Sequence, residues 1–492
     1  MKLFKSILAA TAFALASTAA YAARTDLVVG VVLEPPHLDP TAGAAAAIDE
    51  VVYANLFEGL TRIDEKGQPQ PGLAESWTVS EDGKEYTFKL HSGVKFHDGS
   101  DFDASDVKFS LDRARAADST NAQKKLFQQI TDVEVVDPTT VKVKLANPQG
   151  LFIYNMGLGD AVIVAPESAA TNKEKPIGTG PFKFDSWAKG SSVKLVKADG
   201  YWGAPVALDK VEFRVIPDAA AAVPALLSGD VQAFPMAPLD DAIAQVQADP
   251  RLKVVIGLTE GETILSLNNK KPPFDKLEVR QAIASAIDRN AVIASTMGGL
   301  GVPIGSHMSP ANPDYVDLVN TYPHDDAKAK EYLKAAGLPD GFKATLKLPP
   351  TPYARQGGEV IAAELRAVGI DLEIIPVEWA DWLSKVYTEH DFDATVISHT
   401  EANDIDIYAR KGYYIGYDNP EFNKLADELQ IAGDQTKRHE LLVKMQEILA
   451  KDVPVTYLFE LPKTGVWDAK LTGLWENSPI QANDLTKVKW TD

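Results

Sequence analysis

Apolar runs of strand length alternate with helically spaced apolar positions through most of the 492 residues. Leu27–Leu33 reads as a buried strand, and Ile48–Leu60 carries the i, i+3, i+4 spacing of a helix ending at Gly59. Between about 60 and 175 the pattern changes to short alternating segments. Trp77–Val79 and Tyr86–Leu90 flank Glu81-Asp82-Gly83-Lys84, a hairpin turn, and Val133–Val136 and Val141–Leu145 flank Asp137-Pro138-Thr139-Thr140, a second one. Strand and helix signals then alternate again: Val211–Ile216, Ala219–Leu227, a helix over Leu277–Ile287, another over Arg355–Val368, strands at Leu372–Val377 and Asp393–Ile397, and a long helix at Thr436–Asp452. Such alternation predicts α/β lobes with mixed, mainly parallel sheets. No fixed-period repeat or low-complexity tract interrupts it.

The amino-terminal residues change the picture of where the chain works. Lys2 and Lys5 precede an apolar run from Ile7 to Ala16, too short to span a bilayer, and Ala20-Tyr21-Ala22 supplies small residues where a signal peptidase reads them. Residues 1–22 are expected to be a cleavable signal peptide. No later segment has 18 consecutive apolar residues, so no stable membrane insertion is expected. Cysteine is absent. An exported chain without disulfides, and without a cysteine near the cleavage site to carry a lipid, is expected to diffuse freely in a Gram-negative periplasm. Loss of the two lysines takes the formal charge from −20 to about −22, a surface that repels nucleic acid.

Candidate chemistry concentrates in the stretch VISHTEANDIDIYA (396–409). A β-branched strand ends, and Glu401, Asp404 and Asp406 follow within six positions, beside His399, Thr400 and Asn403. Ligands of α/β sheets bind beyond the carboxyl ends of strands, in crevices between lobes. The loop LEPPHLDP (33–40), directly after the first strand, offers Glu34 and His37 as further candidate lining residues. A solute enclosed between lobes loses water, so each charged end needs a fixed opposite charge or several hydrogen bonds. Carboxylates grouped after one strand therefore suit a cationic or polyhydroxylated solute, with Asp404 or Asp406 as the contact. No metal or cofactor is expected, since only eight histidines occur and none has paired ligand spacing. No nucleophile elbow or H-E-x-x-H appears either, and the acidic residues of one loop need not flank a scissile bond, which leaves a secreted hydrolase as a weak rival.

Several stretches resemble a known family. GLTRIDEKGQPQPGLAESWTVSEDGKEYTFKLHSGVKFHDGSDFDASDVKFSLDRA (59–114), PIGTGPFKF (176–184), LNNKKPPFDKLEVRQAIASAIDR (267–289) and ELRAVGIDLEI (364–374) are similar, in order, to the extracellular solute-binding proteins of family 5, the dipeptide, oligopeptide and nickel receptors of ABC importers. The resemblance implies a bilobal periplasmic-binding-protein fold of type II, in the large cluster with an extra subdomain. It divides the chain into lobe I at 23–59, 176–265 and 465–492, the extra subdomain at 60–175, and lobe II at 266–464. Hinge strands are expected near 262–268 and 460–468, with solute favouring the closed form because it touches both lobes only there. Trp77, Gly83, Phe96, Gly99 and Asp106 of the signature mark turns, a cap and core positions.

The resemblance also implies a monomeric receptor that captures a peptide or peptide-like solute and delivers it to permease subunits, with opines, oligosaccharides and nickel chelates as the alternatives. Dipeptide binders of the family pair an aspartate in this loop with the ligand ammonium. Here the pattern departs, with Ala402 or Asn403 at that place and His399 or Thr400 near an aromatic position. Arg355, at the start of a helix, lies where the family binds a ligand carboxylate, and its guanidinium suits a bidentate pair. Trp379, Tyr413 and Tyr414 are candidate aromatic faces.

Overall fold

The structure, a computed structural model, describes residues 24–43, 45–239 and 242–491. The expected signal peptide lies outside the described residues. One large sheet runs through both halves of the molecule in the order Ile370–Pro376, Phe342–Leu348, Ala394–His399, Leu252–Leu267, Val455–Asp468, Ala233–Phe234, Asp26–Val31, Lys210–Val215, Ser192–Lys197, Phe182–Ala188. Parallel pairs occur at Asp26–Val31 with its two neighbours, and where Phe342–Leu348 joins Ile370–Pro376 and Ala394–His399. All other pairs in this sheet are antiparallel. The expectation of mainly parallel pairing is thus corrected. Leu252–Leu267 and Val455–Asp468 cross between the halves in opposite directions, and the hairpin Phe182–Lys197 adds an antiparallel edge.

Four large apolar clusters organise the described residues around these crossing strands, and three of them mark the main parts of the chain. One gathers Leu27, Val29, Phe57, Phe182, Phe213 and Trp467 with Leu471, Leu485 and Val488. A second packs Leu267, Phe274, Ile283, Ile361, Leu365 and Leu458. The third, with Phe88, Phe96, Phe127, Val141 and Phe152, belongs to a separate four-stranded antiparallel sheet of Ala74–Val79, Glu85–Leu90, Thr140–Leu145 and Ile130–Asp137. Both expected hairpins are present in that sheet. Gly83 takes φ +68° at the first turn, a conformation a side chain would strain, and Asp82 accepts from the Lys84 amide at 3.1 Å.

The helix expected over 48–60 is shorter, Ala46–Val52. Ala54 turns at φ +56°, and the Asn55 side chain donates both to the Val51 carbonyl and to that of Asn483. The apolar spacing beyond Val52 comes from a compact turn instead, where Leu56 and Phe57 are buried. Asn55 also accepts from the Leu485 amide at 3.1 Å, and Arg62 pairs with Asp484. Residues 466–490 thereby complete the apolar cluster begun by residues 27–60.

Candidate ligand cleft

The chain leaves the sheet at His399, the register partner of Glu262 on the neighbouring crossing strand. Asn403 turns at φ +64° and a short 3-10 helix follows at Ile405–Ala409. This turn divides the acidic loop by direction. Thr400, Glu401, Ala402 and Asn403 face a cleft of about 760 Å³, whereas Asp404 points back into the protein. The other walls come from Asp49 and Glu50 on Ala46–Val52, from Tyr154, Asn155 and Asp160, from Thr259 and Glu260 on the crossing strand, and from residues 478–481. The Asn403 side chain approaches the Tyr154 hydroxyl across the gap.

The lining contains five carboxylates and, among the described residues, no lysine, arginine or histidine. Lys66 borders a small adjoining recess together with Glu260 and Asn403. Burial, reinforced by Asp160 and Glu50, pushes Asp49 up to about 8, and burial with the nearby Asp404 charge pushes Glu260 up to about 8. Asp160 rises to about 6 by burial. These carboxyls are short of positive partners, which a cationic guest would supply.

Asp404, His399 and Asp406 are not among the lining residues, although one donor atom each from His399, Glu401 and Asp404 lies within 4.8 Å of the other two. Burial alone would raise Asp404, but His307 holds it below its ordinary value, donating from Nε2 to Oδ1 at 2.7 Å. The Tyr408 hydroxyl faces His307 Nδ1 at 3.2 Å, an arrangement the Nε2–H tautomer satisfies. His399 is buried, 3.1 Å from the Tyr414 hydroxyl, and burial lowers it to about 4. Asp406 accepts from Arg410 at 2.8 Å.

The remaining expected contacts are also engaged elsewhere. Glu34 accepts from Trp187 Nε1 at 3.0 Å and from the Gly190 amide at 2.7 Å, inside the amino-terminal half. His37 packs on Gly43 and its Nδ1 accepts from the Asp39 amide. Arg355 is exposed and pairs with Glu378 at 3.0 Å, away from the cleft lining. Tyr414 is buried, and Trp379 is exposed on an outer turn. The lining acids Asp49, Glu50, Asp160 and Glu260 were not anticipated. One signal was available: TEGETILSL (259–267) places two glutamates on one face of an otherwise buried strand.

A two-lobed α/β scaffold with a cleft walled from both halves is that of a solute-binding protein, and a match to the bacterial extracellular solute-binding proteins, family 5 Middle, covers residues 68–419. The chain belongs to that family. It is similar to the dipeptide-binding protein of Escherichia coli (strain K12), with 32% identity over 78% of this chain and 79% of the relative. It is also similar to a glutathione-binding protein of Salmonella paratyphi A, with 35% identity over 66% of this chain and 64% of that one. Among solved structures, a periplasmic binding protein of Helicobacter pylori in complex with the peptide STSA superposes with TM-score 0.73 at 27% identity, over 96% of this chain and 99% of the other. No described helix is long and apolar enough to cross a membrane.

Proposed function

We propose that the chain is the periplasmic receptor of an ABC importer for peptides that present positive charge to the cleft. The observation that carries this reading is the cleft lining, where among the described residues five carboxylates from both lobes and the crossing strand meet no lining cation. The dipeptide- and peptide-binding names of its relatives support the solute class. Glu401 is the prime contact for an ammonium group: it is exposed, faces the gap, and accepts only from the neighbouring Thr400 amide at 3.3 Å. Glu260 faces the same space from the strand that would carry the hinge. Closure would bring Asp49, Asp160 and Tyr154 onto the guest, so that solute favours the closed state through contacts absent in the open one. The separate apolar clusters support the division into lobe I, the 60–175 subdomain and lobe II. A monomer suffices for this cycle, with permease contacts on the outer faces of both lobes and no catalytic step.

The test is calorimetry of the mature chain with lysine-containing dipeptides, their N-acetylated forms, and glutathione. Free-amine basic peptides should bind best, with N-acetylation and Glu401→Gln each weakening binding at least about tenfold, the loss of one charge-assisted contact. At a hundredfold excess over Kd, binding should add about 2.7 kcal/mol to thermal stability. Equal binding of acetylated peptides, or no binding of any peptide, refutes the reading.

A further inference from the structure

The crossing strands carry two glutamates directly opposite each other. Glu262 and Glu460 are register partners in an antiparallel pair, so their side chains leave the same face of the sheet. Both are buried, at 4% and 0% exposure, and among the described residues Glu262 Oε2 and both oxygens of Glu460 have no hydrogen-bond partner. No lysine or arginine pairs with these unpartnered oxygens among the described residues. From the adjoining elements, His307 and Asp404 close in. One donor atom each from Glu262, His307 and Asp404 lies within 4.8 Å of the other two, and all three residues are buried.

A purely structural role explains these residues poorly. Like charges opposite one another weaken a strand pair, and a buried, unpaired carboxylate costs several kcal/mol, which an apolar side chain would avoid. A cation removes both penalties. The donor set is carboxylate oxygen with one imidazole nitrogen, which suits zinc and manganese better than the all-oxygen preference of calcium or magnesium. Tyr408, set against His307 Nδ1, is the kind of outer partner that fixes a ligating imidazole.

We propose that Glu262, Asp404 and His307 form a binding site for a divalent cation of the zinc or manganese type, on the face of the two strands that join the lobes and beside the Glu460 carboxyl. Binding moves the imidazole proton from Nε2 to Nδ1, where the Tyr408 oxygen accepts it, and Nε2 turns its lone pair to the metal. Any protons on the glutamates pass to solvent. Because the site lies on the crossing strands, the ion would stiffen the segment about which the lobes swing. The site is independent of which solute the cleft takes, and its test contains no solute.

The mature chain is stripped with EDTA, dialysed against equimolar Zn²⁺ or Mn²⁺, and assayed for bound metal and thermal stability. One ion per chain and a raised Tm are expected with one of the two metals. Glu262→Gln and His307→Ala should each weaken binding at least tenfold and Glu460→Gln, beside the site, by less, whereas Asp406→Asn, on the same loop but tied to Arg410, should not. Absence of bound metal overturns the proposal, as does full metal binding by both glutamine variants. Should those variants raise Tm equally with and without metal, the two glutamates are a pair sharing a proton and the site is refuted.

Discussion

The subdomain sheet and the crossing strands are built on opposite terms. In the first, four antiparallel strands enclose Tyr86, Phe88, Phe127, Val141 and Phe152, and no buried side-chain atom between residues 60 and 165 lacks a hydrogen-bond partner among the described residues. In the second, strands that are equally buried carry Glu262, Thr263, Thr456 and Glu460 with polar atoms left unpartnered, and Ser398 adds another from the neighbouring strand. Packing alone specifies the subdomain. The crossing strands hold polar groups that contribute only when something charged or hydrogen-bonding joins them. One region is made to stay as it is, and the other to respond.

Changing pH should act most on the cleft side of this contrast, on Glu260 of a crossing strand and on Asp49 of the helix Ala46–Val52. Asp49 and Glu260 have folded-state values raised to about 8, above those of the unfolded chain. A raised carboxyl binds its proton more tightly when folded, so its stabilisation is complete at low pH and is lost as pH climbs through about 8. His399 is lowered to about 4 from 6.5 and acts oppositely, but only below about 6.5. Thermal denaturation in chelator, without solute, should therefore show falling stability from about pH 6.5 to 8. A basic peptide should reverse that slope, because it favours the ionised carboxyls. A flat profile in this window would erase the contrast.

Single substitutions sharpen it further. Phe88→Ala opens a void beside Tyr86 and Phe152 and should cost about 3–5 kcal/mol, measured by denaturant titration, with peptide affinity unchanged. Glu460→Met, also buried, should instead stabilise the metal-free chain by about 1–3 kcal/mol, since it removes unpartnered oxygens and keeps the volume. The smallest effect is expected at the helix Ala104–Arg115, where the Asp103 side chain accepts from the Ser105 amide and Asp106 accepts from the Asp103 amide. Asp103→Ala should cost about 1 kcal/mol in the same titration.

The same division governs how far the sequence could be read. The hairpins around Asp82-Gly83 and Asp137-Pro138 were legible because turn residues and alternating apolar positions act over a few neighbours. The end of the first helix was not, because Asn55 answers to Asn483 and Leu485, more than 400 residues away. The acidic loop 401–406 was located correctly after its strand, but which carboxylates face out depends on the turn at Asn403 and on His307, 97 residues upstream of Asp404. Arg355, expected to meet a ligand carboxylate, finds Glu378 in space. Local pattern specified the elements, and distant partners decided what their polar side chains do.

The return of residues 466–490 to the first apolar cluster has a bearing on how such a chain is made. A half whose core needs both residues 27–60 and residues 466–490 cannot close until nearly all of the polypeptide has been synthesised. Synthesis begins at the amino end, so the early segments wait, uncompleted, for the late ones. In a chain threaded through a narrow translocation channel, such connectivity alone would keep the leading half from locking too soon.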